Sequence, residues 1–237
     1  MIRAFRYISS FVIYMAIAGS WAVLAALFGV KQRRGGAYDR SARFWGVGML
    51  RGTRISVRVE GDEHLDPDRP CVYMSNHASF IDIWAILAGI PGTIRFVYKK
   101  GMDWIPLMGI ALRAAKHLPI DRHSRSQAFA TYDRAAGMIR RGFSAVLFPE
   151  GTRSRDGRLQ PFKKGSFVLA IAAGAPVIPV FCENTYELMP RGSWSPKPGT
   201  VTLRFGAPIP TAGLRYEDRD RIAAATRAAL IALGARE

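Results

Sequence analysis

The sequence predicts an α/β protein, with a mixed, largely parallel sheet flanked by helices and a membrane-associated helical segment at the N-terminus. Three observations carry that prediction. Short apolar runs of strand character recur along the chain, several of them separated by patterns of helical period. No charge occurs between Tyr7 and Val30. A length of 237 residues suffices for one sizeable core with a short appendage.

The uncharged run comes first in the chain. As a helix, Tyr7 to Val30 would rise about 36 Å, enough to cross a hydrocarbon layer of about 30 Å with tilt. Arg3 and Arg6 precede it and Lys31, Arg33 and Arg34 follow. A signal peptide is the competing reading, with Ala16-Ile17-Ala18 as its cleavage site, but the apolar run continues past Ala18 into the basic cluster. Basic residues at both ends give no orientation, and they suit equally a helix that dips into one leaflet. A second apolar stretch, Phe44 to Leu50 between Arg43 and Arg51, is expected to lie in the interface beside the first. Residues 1–54 are therefore read as the membrane-associated segment and residues 55–237 as the folded domain.

Within that domain the expected strands are Ile55 to Val59, Cys71 to Met74, Ile94 to Lys99, His117 to Ile120, Ala145 to Phe148, Val177 to Phe181 and Val201 to Phe205. Pro179 removes a ladder donor, so its strand is expected at an edge or with a bulge. Ser124 and Gln127 resemble a capping box opening a helix that buries Phe129, Tyr132, Ala136 and Ile139 and stops at Gly142. Another helix spans about Ser166 to Ala173 and ends at Gly174. The last, about Glu217 to Leu233, carries an apolar stripe through Ile222, Thr226, Ala229, Leu230 and Leu233. Strands alternating with helices argue the α/β class.

Lys and Arg total 34 against 18 Asp and Glu, a formal charge of +16. So basic a balance implies an anionic partner, whether nucleic acid, an acidic membrane or phosphorylated substrates, unless it is merely a solubilising surface. No nucleic-acid recognition motif accompanies it. Cys71 and Cys182 sit in apolar runs and read as core residues. Four histidines and no Cys-x-x-Cys argue against a metal site.

Three stretches can carry chemistry. In Asn76-His77-Ala78-Ser79-Phe80-Ile81-Asp82, Ser79 can cap a helix with Asp82 at its third position. His77 and Asp82 would then point about 140° apart if both were helical, at roughly 100° per residue. With His77 in the preceding loop, however, its ring can fold back onto Asp82, which would fix the imidazole tautomer as in a catalytic dyad. In "FPEGTRS", Phe148 to Ser154, a Pro/Gly turn at a strand end presents Arg153, whose planar fork suits phosphate; an ordinary polar turn is the plainer reading. Glu150 is odd beside an anion unless it accepts a hydrogen bond from a substrate hydroxyl. Lys163 and Lys164 nearby read as solvated or membrane-surface charges. In "YKKGMDWIPLMG", Trp104, Ile105, Pro106 and Leu107 suggest either a lipid-facing loop or core packing.

In this order and spacing the stretches resemble the 1-acylglycerol-3-phosphate acyltransferases of the glycerophospholipid acyltransferase family. The resemblance rests on His77 and Asp82, on Lys99, Pro106 and Gly109, on "FPEGTRS", on "APVIPV" at Ala175 to Val180, and on "PIDR" at Pro119 to Arg122. One departure is Gly101-Met102, where the family usually carries glutamate and leucine. The resemblance implies the glycerolipid acyltransferase fold. It also implies transfer of a fatty acyl group from acyl-CoA or acyl carrier protein thioester to the sn-2 hydroxyl of 1-acyl-glycerol 3-phosphate, giving phosphatidic acid. His77 would be the general base and Asp82 its support. Lys99, Thr152 and Arg153 would bind the acceptor's phosphate, with Glu150 and Gly151 at its hydroxyl end. No bound cofactor or metal is implied. Membrane lipids are the expected partners, at the inner (cytoplasmic) membrane with the catalytic domain facing the cytoplasm. Another lysolipid acceptor, or a non-catalytic protein binding acidic phospholipids, are the alternatives.

Overall fold

The computed structural model describes residues 1–121 and 125–237. The expected cap at Ser124, Arg122 of "PIDR" and the Phe129 side chain lie outside the described residues. Two helices open the chain, α1 (Ile2–Leu27) and α2 (Ala37–Thr53), and lie against each other. Then follow β1 (Ile55–Glu60), β2 (Val72–Ser75), α3 (Ile81–Gly89), β3 (Ile94–Lys99), α4 (Met108–Ala114), β4 (Leu118–Ile120), α5 (Arg125–Ile139) and β5 (Ser144–Leu147). The chain ends with α6 (Gly165–Ala173), β6 (Val177–Glu183), the one-turn α7 (Thr185–Leu188), β7 (Gly199–Phe205) and α8 (Arg219–Ala232).

Among the described residues the strands form one sheet in the order β1-β7-β6-β2-β5-β3-β4, parallel at every junction except the antiparallel β6–β7 pair. The central strands are apolar on both faces because helices cover both. Tyr73, Phe96, Val146 and Ile178 pack with α3 and with Met49 and Leu50 of α2; Val72, Met74, Ala145, Leu147 and Val177 pack with α5 and α6. The glycine stops expected after two helices are present, with Gly142 and Gly174 both at positive φ.

Pro179 lies in an interior strand, not at an edge. Its carbonyl accepts a hydrogen bond from the Gly206 amide, just where β7 has ended, and the β6–β7 ladder begins one residue later at Val180. The chain after β7 then rejoins β6 at Val177 through Ile209, with one extra residue on the partner side. The missing N–H therefore falls at an irregular stretch of the neighbouring chain.

The N-terminal helices share the core of the sheet domain. Tyr7 is buried with its ring 5.8 Å from that of Trp84 on α3. A buried ion pair, Arg95 on β3 with Asp39 on α2 at 2.6 Å, joins the same two parts. Asp39 also accepts from the Gly35 amide, and Arg95 donates to Gln32. The stretch Phe44 to Leu50 is the middle of α2, and its Met49 and Leu50 are buried in the protein rather than laid in an interface.

Candidate active site

Parallel sheets place functional loops beyond the carboxyl ends of their strands. The neighbouring strands β2 and β5 end in "NHASFID" and "FPEGTRS" respectively. Asn76 anchors the first loop: its amide oxygen accepts from the Cys182 N–H at 2.7 Å and its nitrogen donates to the Cys182 carbonyl at 3.2 Å. His77 sits in this loop, before the helix, so its ring turns back over the first turn of α3. Its Nδ1 lies 2.7 Å from Oδ2 of Asp82. The same oxygen accepts from the amides of Ala78 and Ser79, both at 2.9 Å. Ser79 accepts in turn from the Ile81 amide at 3.2 Å. Cap and pair are thus one structure: Asp82, fully buried, closes the helix start and fixes the ring.

With Nδ1–H held by Asp82, Nε2 is left with its lone pair for a substrate proton. The imidazole stacks on Phe148, with centroids 3.9 Å apart and planes inclined by 16°. Phe148 belongs to the second loop, so the two sequence motifs meet face to face.

That second loop turns at Gly151, whose φ of +76 favours glycine and whose amide donates to the Phe148 carbonyl at 3.0 Å. Glu150, expected at the acceptor's hydroxyl end, turns both carboxylate oxygens onto the backbone. It is buried, its Oε1 accepts from the His77 amide at 2.7 Å, and its Oε2 accepts from the Gln160 amide at 3.0 Å. On the following peptide unit, the Ser154 amide donates to the His77 carbonyl at 2.7 Å. The residue is therefore a clamp on the backbone of His77, which answers why a carboxylate stands beside an anion site. Burial pushes its carboxyl up to about 7, against the pull of the two amides.

His77 lines a cavity of about 390 Å³ with mostly apolar walls. Lys99, Gly151, Thr152 and Arg153 line it together with His77, whereas Glu150 does not. Lys99 and Thr152 are exposed; the Arg153 guanidinium stacks 4.1 Å from the centre of the Phe80 ring. Burial, with Arg191 close by, pulls the Arg153 guanidinium below its ordinary value. Among the described residues no carboxylate forms a salt bridge with Arg153, so its fork is available to an anion. Lys163, expected as a solvated or membrane-surface charge, also reaches the cavity wall, while Lys164 pairs with Asp220 at 3.0 Å.

Sequence reasoning missed the far wall. Ala18, Gly19 and Ala22 of α1 and Ala42 and Trp45 of α2 line the cavity, so the apolar helices form part of the site. The available signal was the small residues on one side of an otherwise bulky apolar helix. Met102, one of the two departures from the family pattern, lines the cavity as well. The 104–107 loop divides: Trp104 is 89% exposed, whereas Leu107 packs so tightly on α1 that a Cβ at Gly19 would lie 2.7 Å from it.

A sequence profile of the family described as Acyltransferase matches residues 56–183. A chloroplastic 1-acyl-sn-glycerol-3-phosphate acyltransferase of Brassica napus is 40% identical over 136 residues, which cover 57% of this chain and 39% of that protein. The 1-acyl-sn-glycerol-3-phosphate acyltransferase of Limnanthes douglasii is 37% identical over 159 residues, 66% of this chain and 56% of that one. The chain thus spans about half the length of these curated relatives. The crystal structure of the 1-acyl-sn-glycerophosphate acyltransferase PlsC from Thermotoga maritima is similar over 99% of both chains, with a TM-score of 0.75 at 28% identity.

Proposed function

The chain belongs to the acyltransferase family, and from that premise we propose that it moves a fatty acyl group from a thioester to the sn-2 hydroxyl of 1-acyl-glycerol 3-phosphate, yielding phosphatidic acid. One observation carries the reading: a histidine held by a buried carboxylate lines a mostly apolar cavity that also carries the cationic side chains Lys99, Arg153 and Lys163.

A hydroxyl is too weakly acidic to attack at neutral pH, so a base is needed at Nε2. As the hydroxyl oxygen bonds to the thioester carbonyl carbon, its proton passes to His77. Asp82 stabilises the imidazolium so formed. Collapse of the tetrahedral adduct re-forms the carbonyl and breaks the C–S bond. The departing thiolate takes the proton back from Nε2, leaving an ester, a free thiol and an unchanged enzyme. No acyl-enzyme and no bound cofactor enter this sequence; the thioester of CoA or acyl carrier protein is a co-substrate. Arg153 and Lys99 hold the acceptor's phosphate, and the apolar cavity receives the acyl chain. Residues 1–54 form the membrane-associated segment on this reading and residues 55–237 the catalytic domain, at the cytoplasmic membrane and facing the cytoplasm.

The test offers detergent-purified protein a labelled acyl thioester with lysophosphatidic acid, other lysolipids and glycerol 3-phosphate in parallel. Transfer should be fastest to lysophosphatidic acid. Arg153→Lys keeps the charge but loses the planar fork, so the KM for that acceptor should rise about tenfold, ~1.4 kcal/mol. Equal losses on an acceptor without a phosphate monoester would refute the phosphate assignment. His77→Ala should instead lower turnover by about 100-fold or more on every acceptor.

A further inference from the structure

Beyond His77 the cavity wall continues as a row of aromatic rings: Phe148, then Phe96 at 6.4 Å, then His117 at 5.9 Å. All line the cavity. His117 is the unusual member, an imidazole in an apolar wall. Its protonation state is set by its neighbours. The main-chain amide of Phe96 donates to its Nδ1 at 2.9 Å, so Nδ1 carries no proton. Burial and the charge of Arg95 pull its pKa down to about 3, so the ring is neutral. A neutral imidazole with a lone pair at Nδ1 carries its hydrogen at Nε2.

That N–H has no protein acceptor among the described residues. It also differs from the indole N–H of Trp45, on the opposite wall, which is unpaired too but wholly covered by protein. Nε2 is not among the covered unpaired atoms. The Ser41 hydroxyl, another polar group of the wall, is spent on the Tyr38 carbonyl at 3.0 Å. An open donor in a mostly apolar cavity is satisfied by water until a ligand displaces it. A hydrocarbon that displaces the water leaves the donor unpaired, which costs binding about tenfold.

We propose that the imidazole N–H of His117 selects the acyl group, favouring a chain that stops short of it, or brings an oxygen to it, over a plain chain that lies across it. This rests on the acyl-transfer reading, because it assumes that the cavity receives the acyl chain. The chemical class it adds is an acyl thioester bearing a hydroxyl or carbonyl oxygen well down the chain.

The experiment compares wild type with His117→Asn on saturated acyl-CoA thioesters of increasing length, and on long ones hydroxylated far from the thioester. Asparagine places its carbonyl oxygen where Nδ1 stands, keeping the bond from Phe96, and has no atom in the place of Nε2. In the wild type, kcat/KM should fall about tenfold once plain chains pass a given length, and the hydroxylated chain should recover that loss. In His117→Asn the fall should vanish and the hydroxyl should confer nothing. His117→Gln, whose amide nitrogen can reach the place of Nε2, should restore the wild-type ranking. Identical chain profiles in wild type and His117→Asn would overturn the proposal. If the wild type consumed no thioester at all, the acyl-transfer reading would fail instead. The same chains offered as free fatty acids, read by melting-temperature shift, then decide the role of His117 without turnover: the preference for hydroxylated chains must still depend on it.

Discussion

At the scale of single residues, Glu150 separates positioning from recognition. Both of its oxygens are engaged by main-chain amides, one of them that of His77. Glu150→Gln replaces one acceptor by an amide nitrogen, so one N–H loses its partner at a cost of about 1–3 kcal/mol. The peptide bearing the base should shift, and kcat should fall about tenfold while the acceptor KM stays within about twofold. A steady-state KM that rose with kcat unchanged would return Glu150 to acceptor binding. His117 supplies a second residue-scale expectation, through pH. Its folded pKa lies near 3, below the unfolded value near 6.5. Between those values the unfolded chain binds a proton that the folded chain refuses, so stability is complete above about pH 6.5 and is lost as pH falls. At pH 5 the loss amounts to about 2 kcal/mol relative to pH 7. Denaturant melts should show wild type losing that much more than His117→Asn over the interval; equal losses would mean that the histidine is protonated in the fold.

At the scale of elements, the strands and the α/β alternation were legible because buried parallel strands need runs apolar on both faces, and runs such as Cys71 to Met74 satisfy that demand locally. Pro179 was legible in part: an edge or a bulge was expected, and which of the two applies depends on where another strand ends, at Phe205, which no local pattern reports. The dyad was half legible: spacing allowed His77 and Asp82 to meet, but only a loop conformation held by Asn76 and Glu150 brings the ring round. The wall from α1 and α2 was illegible for a related reason, since an uncharged helix reads as lipid-facing all round. The packing of these two helices gives a direct test. A Cβ at Gly48 on α2 would lie 2.3 Å from the Tyr14 ring on α1. Gly48→Ala must push the helices apart, at about 1–3 kcal/mol for an overpacked contact. The melting temperature should drop and protease sensitivity around residues 28–36 should rise. An unchanged melt would show that α1 moves freely against α2.

At the scale of the whole molecule, α1 faces two environments at once. One side carries Tyr7, Ala18 and Ala22 into the protein; the other exposes Phe5, Ile8, Val12, Ile13 and Ile17. It is long and apolar enough to cross a membrane, yet its inner side is part of the cavity. Removing the helix would therefore take away the proposed membrane contact and the cavity wall together, and lost activity would not say which mattered. Changing only the outer side separates them. Ile8 and Val12, 49% and 59% exposed, are one helical turn apart on that side. Ile8→Glu with Val12→Glu places two carboxylates where an anionic bilayer would lie, and leaves the inner contacts alone. Because the chain carries a formal charge of +16, attraction to anionic lipid persists at low salt but is screened as salt rises. The double variant should consequently float with anionic vesicles at low ionic strength and detach at about 0.15 M salt, where wild type stays bound. Its transfer to detergent-dispersed lysophosphatidic acid should remain within about twofold of wild type, and its melting temperature should be unchanged. Full retention on vesicles at that salt would move the membrane contact away from this face of α1, with the exposed Trp104 and Ile105 as the next surface to substitute.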